Sequence, residues 1–354
     1  MVNSPQRPKA PEAQARPSSG RRRRATSYDV ARLAGVSQSA VSRCFKPGAS
    51  VSKAMRSKVM RAAETLHYRP NAIARGLITQ RSHLIAVLVS GRLNFDYPEV
   101  LFRLTEALSA RGLRVLLFTV DSEADAEGVI EQAWQFQVDG VISASHLSRR
   151  QYETLTQRQV PVVFFNRYFT NMPTDIVYCD PARQVGELVE RLVGLGHSRF
   201  ALIRGPKANM VSQERERLVE AALADQNVNG PAAFFGDFSY ESGALAADAL
   251  LTGSEPPTAI ICANDMMAMG CLDQTRHRLG RAVPGDVSIA SFDGTHMSQF
   301  ASYEITTIRQ PIVRMCEAAV ELMSSRAHDP GAEREKRVFE AQLLPGSSIA
   351  EAPA

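Results

Sequence analysis

The chain has 354 residues, of which 44% are hydrophobic and 22% charged, an ordinary globular composition with room for more than one domain. The net charge of +4 is unevenly spread, because residues 1–82 hold 17 of the 41 Lys and Arg but only 3 of the 37 Asp and Glu. There is no apolar run of membrane-spanning length, no apolar secretory signal and no C-x-x-C pair among the five cysteines, so we expect a reduced cytoplasmic protein that does not enter the membrane.

The first 24 residues form a basic tail that ends in the run Arg21–Arg24. Pro, Ser and Arg dominate this stretch, and it has too few apolar residues to bury a core. We therefore expect a disordered tail. Its role has two alternatives, nonspecific attraction to DNA and simple solubilisation.

Residues 26–45 carry the signals of two short helices separated by a glycine turn. Thr26 followed by Asp29 fits a capping box at the start of the first helix. Gly35 ends that helix where a positive φ is easiest, and Ser37 can cap the second helix. The positions expected inside are Val30, Ala31, Leu33 and Ala34 in the first helix and Ala40, Val41, Cys44 and Phe45 in the second.

Two helices with such a turn are typical of a helix-turn-helix unit, whose second helix enters the major groove of DNA. The residues expected to point outward from this helix are Gln38, Ser39, Ser42 and Arg43. Gln38 matches the hydrogen-bonding pattern of adenine and Arg43 that of guanine. The alternative is that this surface is only the solvated side of a small bundle. A third helix beginning at Ser52 is expected to close the core with Met55, Val59, Ala62 and Leu66.

The A-G-V-S-x-x-x-V-S-R core, the V-S start of the third helix and the Y-x-P-N-x-x-A-R-x-L segment resemble the lactose/galactose repressor (LacI/GalR) family of bacterial transcription regulators. The likeness runs from Thr26 to about Gly346. It implies that Gln38, Ser39 and Arg43 read bases, and that Leu77 wedges into the minor groove at the operator centre. The positions expected to contact DNA are Thr26, Tyr28, Ser37, Gln38, Ser39, Ser42, Arg43, Lys46, Asn71, Ala74 and Leu77.

One departure from the family pattern lies just after the second helix. Lys46 stands where the family usually has Asn, and Pro47-Gly48 make an unusual loop. The connection to the third helix is therefore expected to meet the phosphate backbone differently.

From residue 84 onward, apolar strand-like runs alternate with helical patterns, which favours parallel sheets flanked by helices. The predicted strands are residues 84–89, 115–120, 139–144, 160–165, 200–203, 258–263 and 287–292. Polar residues follow several of these strands, at the sheet edge where such folds bind ligands. These residues are Ser90, Asn166, Asn264, Asp265 and Asp293. Each has the alternative of being a loop residue or a helix cap, and Asp265 in particular is expected to be an N-cap.

The body resembles the periplasmic-binding-protein-like effector domain of the same family. This resemblance implies an α/β body of two doubly wound lobes that close on a ligand. The matching effector-contact positions are Ser90, Asn166, Arg215, Phe238, Asn264 and Asp293. Asn166 falls where the family often has Asp, Leu218 replaces a Gly, and Gly294 replaces an acidic residue.

The expected organisation has five parts. They are a disordered tail (1–24), an all-α helix-turn-helix head (25–69), a hinge helix and linker (70–82), a two-lobed effector-binding and dimerisation domain (83–346) and a C-terminal tail (347–354).

The sequence thus predicts a sequence-specific transcriptional regulator, expected to be a repressor. We expect a homodimer on a palindromic double-stranded DNA operator, switched by a small polar metabolite such as a sugar or sugar derivative, with no metal or cofactor. A solute-binding protein would share the body but needs an export signal and no head. An α/β enzyme is the other alternative, but Gly194-Leu195-Gly196 precedes a strand, and neither H-E-x-x-H nor G-x-S-x-G is present.

Overall fold

A computed structural model describes residues 25–46, 48–70, 81–90, 96–120, 123–167, 169, 171–228 and 230–353. The chain divides into two compact units, residues 1–79 and 80–354, which we call the head and the body. The predicted basic tail and the hinge positions Asn71, Ala74 and Leu77 lie outside the described residues.

The described part of the head consists of three helices, α1 (Ser27–Ala34), α2 (Gln38–Cys44) and α3 (Lys53–Thr65). Ser52 caps α3 by accepting a hydrogen bond from the Met55 amide, which confirms the predicted start of the third helix. The helices enclose a small apolar core of Val30, Ala31, Val41, Cys44, Val59, Ala62 and Ala63.

The expectation that Leu33 belongs to the head core is wrong, because its side chain is 54% exposed. Val30, Ala31 and Ala34 lie close together around α1 and turn toward the other helices. Leu33 sits about 100° from the centre of that stripe, since each helical residue turns the chain by roughly 100°. The helix therefore leaves Leu33 in solvent.

The body contains two six-stranded sheets with helices packed on them. Lobe 1 is formed by β1 (Leu84–Val89), α4 (Asp96–Ala110), β2 (Arg114–Thr119), α5 (Glu123–Gln135), β3 (Gly140–Ser143), α6 (Arg149–Gln157), β4 (Val162–Phe165), β5 (Asp175–Asp180), α11 (Ile312–His328) and β11 (Lys336–Glu340). Lobe 2 is formed by α7 (Ala182–Gly194), β6 (Phe200–Arg204), α8 (Met210–Asp225), β7 (Ala232–Phe235), α9 (Tyr240–Leu251), β8 (Ala259–Cys262), α10 (Asp265–His277), β9 (Ser288–Asp293), a 3₁₀ turn (Met297–Gln299), β10 (Thr306–Arg309) and β12 (Gln342–Leu344).

Both sheets are doubly wound. The strand order is β11-β5-β4-β3-β1-β2 in lobe 1 and β12-β10-β9-β8-β6-β7 in lobe 2. All neighbours are parallel except β10 and β12. In β1, Ile85, Val87 and Val89 enter one core cluster while Ala86 and Leu88 enter another. This burial on both faces explains the continuous apolar runs.

All seven predicted strands are present, but the sequence pattern missed five others, namely β5, β7, β10, β11 and β12. Three of the five, β7, β11 and β12, lie at sheet edges. Edge strands are solvated and lack a continuous apolar run, so hydropathy alone does not single them out.

The chain passes between the lobes at three places, between β5 and α7, at Gln310-Pro311 and at Ala341. The second passage follows β10 directly and leads into α11, which packs on lobe 1. Gln310 therefore stands where the two lobes meet.

The C-terminal segment is fastened to lobe 2 through a buried imidazole. His197 Nδ1 lies 3.0 Å from Thr258 Oγ1 and Nε2 lies 3.0 Å from the Ala350 carbonyl oxygen. Burial lowers the pKa of His197, and the hydrogen bond to Ala350 offsets only part of this effect. The surroundings of His197 therefore favour the neutral form of the imidazole.

Two further features characterise lobe 1. The guanidinium carbon of Arg158 lies 3.4 Å from the centroid of the Trp134 ring, and Trp134 is the single tryptophan of the chain. Asp175 is fully buried at the start of β5 and accepts hydrogen bonds of 2.8 and 2.7 Å from Arg326. Burial raises the pKa of Asp175, but the hydrogen bonds from Arg326 and the Glu335 amide outweigh it and lower the pKa overall.

All five cysteines, Cys44, Cys179, Cys262, Cys271 and Cys316, are buried and unbridged, as the sequence predicted. No helix in the described part of the chain is long and apolar enough to cross a membrane.

Candidate functional site

The start of α1 is a complete capping box, as predicted. Thr26 Oγ1 accepts a hydrogen bond from the Asp29 amide, and the Thr26 amide donates to Asp29 Oδ2 over 2.9 Å. The hydrogen bond from the Thr26 hydroxyl lowers the pKa of Asp29. Gly35 ends the helix at φ 62°, which allows the tight turn into α2.

The second helix presents the polar surface that the sequence predicted. Ser37 caps it by accepting from the Ala40 amide over 3.2 Å, while Ser39, Ser42 and Arg43 are exposed. Gln38 is half-buried, and its Nε2 donates to Ser27 Oγ over 3.4 Å. Reading a base with Gln38 therefore requires exchange of a long hydrogen bond within the head.

Two other expected DNA contacts are accessible. Tyr28 on α1 is 71% exposed, and Lys46 after α2 is exposed. Arg56, in contrast, is used inside the head, because its Nη1 donates to the Cys44 carbonyl over 2.9 Å. This bond satisfies a backbone acceptor at the end of α2 and ties α3 to the loop that follows α2.

In the body, a cavity lies between the two lobes, and its empty volume of about 400 Å³ includes open solvent. It is lined by Asn166, Tyr178, Cys179, Pro181, Val211, Glu214, Arg215, Phe292, Ile308 and Gln310. Apolar walls with a few converging polar groups are typical of a site for a small molecule.

Arg215, which lines this cavity, belongs to a buried ion pair. Arg215 Nη2 lies 2.5 Å from Asp293 Oδ1, and Arg215 Nη1 donates to the Ala263 carbonyl over 2.6 Å. The guanidinium also stacks over Phe292, 4.9 Å from the ring centroid. Since Asp293 balances its charge, Arg215 offers a ligand hydrogen bonds without a net positive field.

A chain of hydrogen bonds continues from this pair to lobe 1. Gln310 Nε2 donates to Asp293 Oδ1 over 3.4 Å and Gln310 Oε1 accepts from Asn166 Nδ2 over 2.5 Å. Asn166 Oδ1 in turn accepts from the Cys179 amide over 3.0 Å. Asn166 has a φ of 51°, a backbone conformation that Asn tolerates better than most residues. Polar groups of both lobes thus form one network.

The remaining expected effector contacts lie elsewhere. Asn264 is buried, caps α10 through the Met267 amide and donates to the Phe238 carbonyl over 3.1 Å. The Phe238 ring lies against Gly205, where an added Cβ would come within 2.4 Å of it. Ser90 is half-buried directly after β1. None of these three belongs to the residues that line the 400 Å³ cavity.

The expectation that Asp265 caps a helix is wrong, because Asn264 is the N-cap of α10. Asp265 is instead buried inside lobe 2, where its carboxylate accepts hydrogen bonds from Ser291, Thr307 and Thr295. Burial and then the charge of Asp293 raise its pKa. The carboxylate therefore connects the start of α10 to β9, to β10 and to the residue Thr295 that follows β9.

The departures from the family pattern have structural counterparts. Gly294 has a φ of 67°, and a Cβ there would lie 2.4 Å from the Arg309 Cβ, so the Arg309 side chain fills the space of an acidic residue. Leu218 packs against the main core of the body. Burial raises the pKa of Cys179 to about 12, which makes this cavity-lining thiol a poor nucleophile.

Sequence reasoning missed Gln310, Tyr178 and Glu214. Gln310 follows a strand that the hydropathy pattern did not reveal, and Tyr178 lies within another such strand. Glu214 lies next to Arg215 in the S-x-x-R segment, but its own position resembles any exposed helical acid. A Gln-Pro pair after a short β-branched run was the one available signal for Gln310.

Two protein-family models match the chain. Residues 26–71 match the bacterial regulatory proteins of the lacI family, and residues 189–349 match a periplasmic binding protein-like domain. The HTH-type transcriptional repressor PurR of Vibrio vulnificus (strain CMCP6) is 30% identical over 322 residues, which cover 89% of this chain and 95% of the relative.

Solved structures show the same architecture. The transcriptional regulator CelR in complex with cellobiose is 29% identical, with a TM-score of 0.68 over 92% of this chain and 100% of that chain. The lac repressor dimer bound to operator and the anti-inducer ONPF is 24% identical and has a TM-score of 0.83 over 93% of this chain and 100% of that chain. This second likeness shows the fold.

A helix-turn-helix head joined to a two-lobed body with a cavity between its lobes defines a class of DNA-binding transcriptional regulators. The chain belongs to one family of that class, the lacI family of bacterial regulatory proteins. Its function is therefore the regulation of transcription through DNA binding.

Proposed function

We propose that this protein is a dimeric repressor that binds a palindromic operator, and that a small polar metabolite, a sugar or sugar derivative, changes its operator affinity. The observation that carries the ligand part of this proposal is the network from Arg215 through Asp293 and Gln310 to Asn166. It connects both lobes at the edge of the cavity between them, where polar groups converge between apolar walls, as is typical of a site for a small molecule.

The DNA part of the proposal rests on charge and exposure. Residues 1–82, which comprise the basic tail, the head and the linker, carry 17 basic against 3 acidic residues, whereas residues 83–354 carry 24 basic against 34 acidic residues. Such a head neutralises phosphates and releases counterions, so its affinity for any DNA should fall steeply with salt. The exposed side chains of Ser39, Ser42 and Arg43 on α2 then supply sequence preference.

The chemistry of the cavity supports a ligand with hydroxyl groups. Asp293 uses Oδ1 for Arg215 and Gln310, which leaves Oδ2 to accept from a ligand. Phe292 and Ile308 supply apolar contact for the carbon face of a ring. A neutral polyol satisfies both groups without leaving a charge unpaired.

Effector and operator are coupled if the ligand prefers one arrangement of the lobes. By linkage, operator DNA then changes ligand affinity by the same factor. Some relatives are repressors by name, among them the PurR protein of Vibrio vulnificus, and a two-fold symmetric dimer matches a palindrome. We propose further that the protein has no catalytic activity and acts in the cytoplasm, where its DNA is.

The decisive experiment is in vitro selection of DNA sites by the full-length protein at physiological salt. We expect an enriched palindrome. Arg43→Ala should then weaken binding to that site by about 1–3 kcal/mol and relax preference at one base pair. No enrichment over random DNA contradicts sequence-specific binding, and equal weakening on all sequences reduces Arg43 to a phosphate contact.

A screen of sugars against the operator complex tests the ligand part. We expect one that changes operator affinity for the unmodified protein. The Asp293→Asn variant should retain operator binding and lose this response. A variant that responds like the unmodified protein removes Asp293 from the proposed site.

A further inference from the structure

The chain enters the body through a short segment that a distant carboxylate holds in place. Ser82 donates to Asp139 Oδ1 through its amide over 2.8 Å and through its hydroxyl over 3.0 Å. The His83 amide donates to Asp139 Oδ2 over 3.0 Å. Both oxygens of one carboxylate thus bind residues that lie 57 and 56 positions earlier in the chain.

Backbone contacts fix the same segment from both sides. The His83 carbonyl accepts from the Arg114 amide over 2.8 Å at the start of β2. The Asp139 amide donates to the Leu84 carbonyl over 2.8 Å, just before β3. His83 has a φ of 59°, a conformation that costs a non-glycine residue free energy and persists only where its surroundings impose it.

None of these contacts belongs to the ligand cavity. Asp139 precedes β3 and Ser82 precedes β1, so they lie at the amino ends of the lobe 1 strands, whereas Asn166 follows the carboxyl end of β4. Asp139 is half-buried. Its two carboxylate oxygens accept hydrogen bonds from the Ser82 amide, the Ser82 hydroxyl and the His83 amide. Its position therefore indicates a role at the connection between head and body.

We propose that Asp139 is a positioning residue for operator binding, which fixes the point where the connection to the head leaves the body. This inference rests on the proposed operator binding. Specific binding holds the head at one position on the operator, and each residue freed at the end of its connection to the body adds backbone entropy that binding must remove. Nonspecific binding through phosphate contacts does not require that order.

The first test uses trypsin cleavage of the peptide bond between Arg81 and Ser82. The Ser82 amide belongs to this bond and donates to Asp139, so the hydrogen bond must open before trypsin can cleave. In full-length Asp139→Asn we expect cleavage at this bond to be faster by about fivefold, because one of the two acceptor oxygens is lost. Ser82→Ala leaves both carboxylate oxygens of Asp139 in place and removes the hydroxyl, which donates to Asp139 and accepts from the Leu84 amide over 3.1 Å, so it should give a smaller increase. An unchanged cleavage rate in both variants overturns the tether.

The second test measures DNA affinity with the palindrome obtained by selection and with random DNA of equal length. Asp139→Asn should bind the palindrome about tenfold more weakly, as expected for lost hydrogen bonds to a charged group, and should bind random DNA like the matched control. That control is Asp286→Asn, which removes the same charge from a carboxylate that accepts from the Ala282 amide in lobe 2.

The outcomes separate the two proposals. If the unmodified protein selects no palindrome, the proposed function fails, while the cleavage test still decides the tether. If the unmodified protein selects a palindrome and Asp139→Asn binds it with control affinity, the positioning role fails alone. If Asp139→Asn does not fold, Ser82→Ala decides, and control affinity for the palindrome in that variant overturns the proposal.

Discussion

Asn166 Nδ2 lies 2.5 Å from Gln310 Oε1, and this hydrogen bond joins lobe 1 to the segment through which the chain leaves lobe 2. It is backed by the bond from Gln310 to Asp293. A single amide side chain therefore touches polar groups of both lobes at the cavity. A change in lobe arrangement must break or re-form it.

Gln310→Ala should shift the lobes toward more open arrangements, because it removes both bonds at once. A net loss of about 1 kcal/mol corresponds to about a fivefold change in the equilibrium between arrangements. Small-angle X-ray scattering should show a larger radius of gyration. Gln299→Ala, which removes an amide bonded within lobe 2, should leave the radius unchanged, and equal radii for both variants would contradict the bridge.

Asp293→Asn should lower the free energy of unfolding by about 3 kcal/mol, because it leaves the buried Arg215 guanidinium without a counter-ion. Pairing Arg215→Met with Asp293→Leu should cost less than the sum of the single changes, since no unpaired charge remains. Urea unfolding of the unmodified protein, Asp293→Asn, the two single variants Arg215→Met and Asp293→Leu, and their double variant measures this. Strict additivity would show that the two side chains are not coupled.

Arg56→Ala should loosen the end of α2, because it removes the hydrogen bond to the Cys44 carbonyl. The expected loss is about 1 kcal/mol, seen as faster amide hydrogen exchange in α2 of the full-length protein. Lys58→Ala removes the same charge from α3 and serves as the control. Equal exchange rates in α2 of the two variants would show that the hydrogen bond from Arg56 to the Cys44 carbonyl does not stabilise α2.

Acidification should weaken the body through His197. The folded-state pKa lies below the ordinary value of 6.5, so the stability that depends on the neutral imidazole is complete above pH 6.5 and is lost as pH falls through the lowered pKa. His197→Gln should show a flatter dependence of unfolding free energy on pH between about 7 and 5. If the unfolding free energy of His197→Gln falls with pH as steeply as that of the unmodified protein, protonation of His197 is not the cause of the acid sensitivity.

The sequence identified the elements that short-range physics determines. The capping box at Thr26, the positive φ at Gly35 and the buried strands such as β1 each follow from a local pattern. The strand pattern also placed Asp293 at the sheet edge where such folds bind ligands. Arg215 was placed only through family resemblance, because nothing local brings an α8 residue next to the end of β9.

The remaining parts of the site depend on long-range packing. Asp265 was expected to be a helix cap, but its neighbour Asn264 is the cap. The Asp265 carboxylate accepts hydrogen bonds from Ser291 and Thr307 instead. Gln310 became a bridge only because two lobes meet there. Such roles arise from tertiary contacts, which periodicity does not record.

The stacking of Arg158 on Trp134 gives the protein an internal optical probe. With one tryptophan in the chain, ultraviolet-excited indole emission comes from lobe 1 and none of it from the head. Comparing that emission with far-ultraviolet circular dichroism, to which helices of both units contribute, distinguishes melting of the DNA-reading head from melting of the body without any added label.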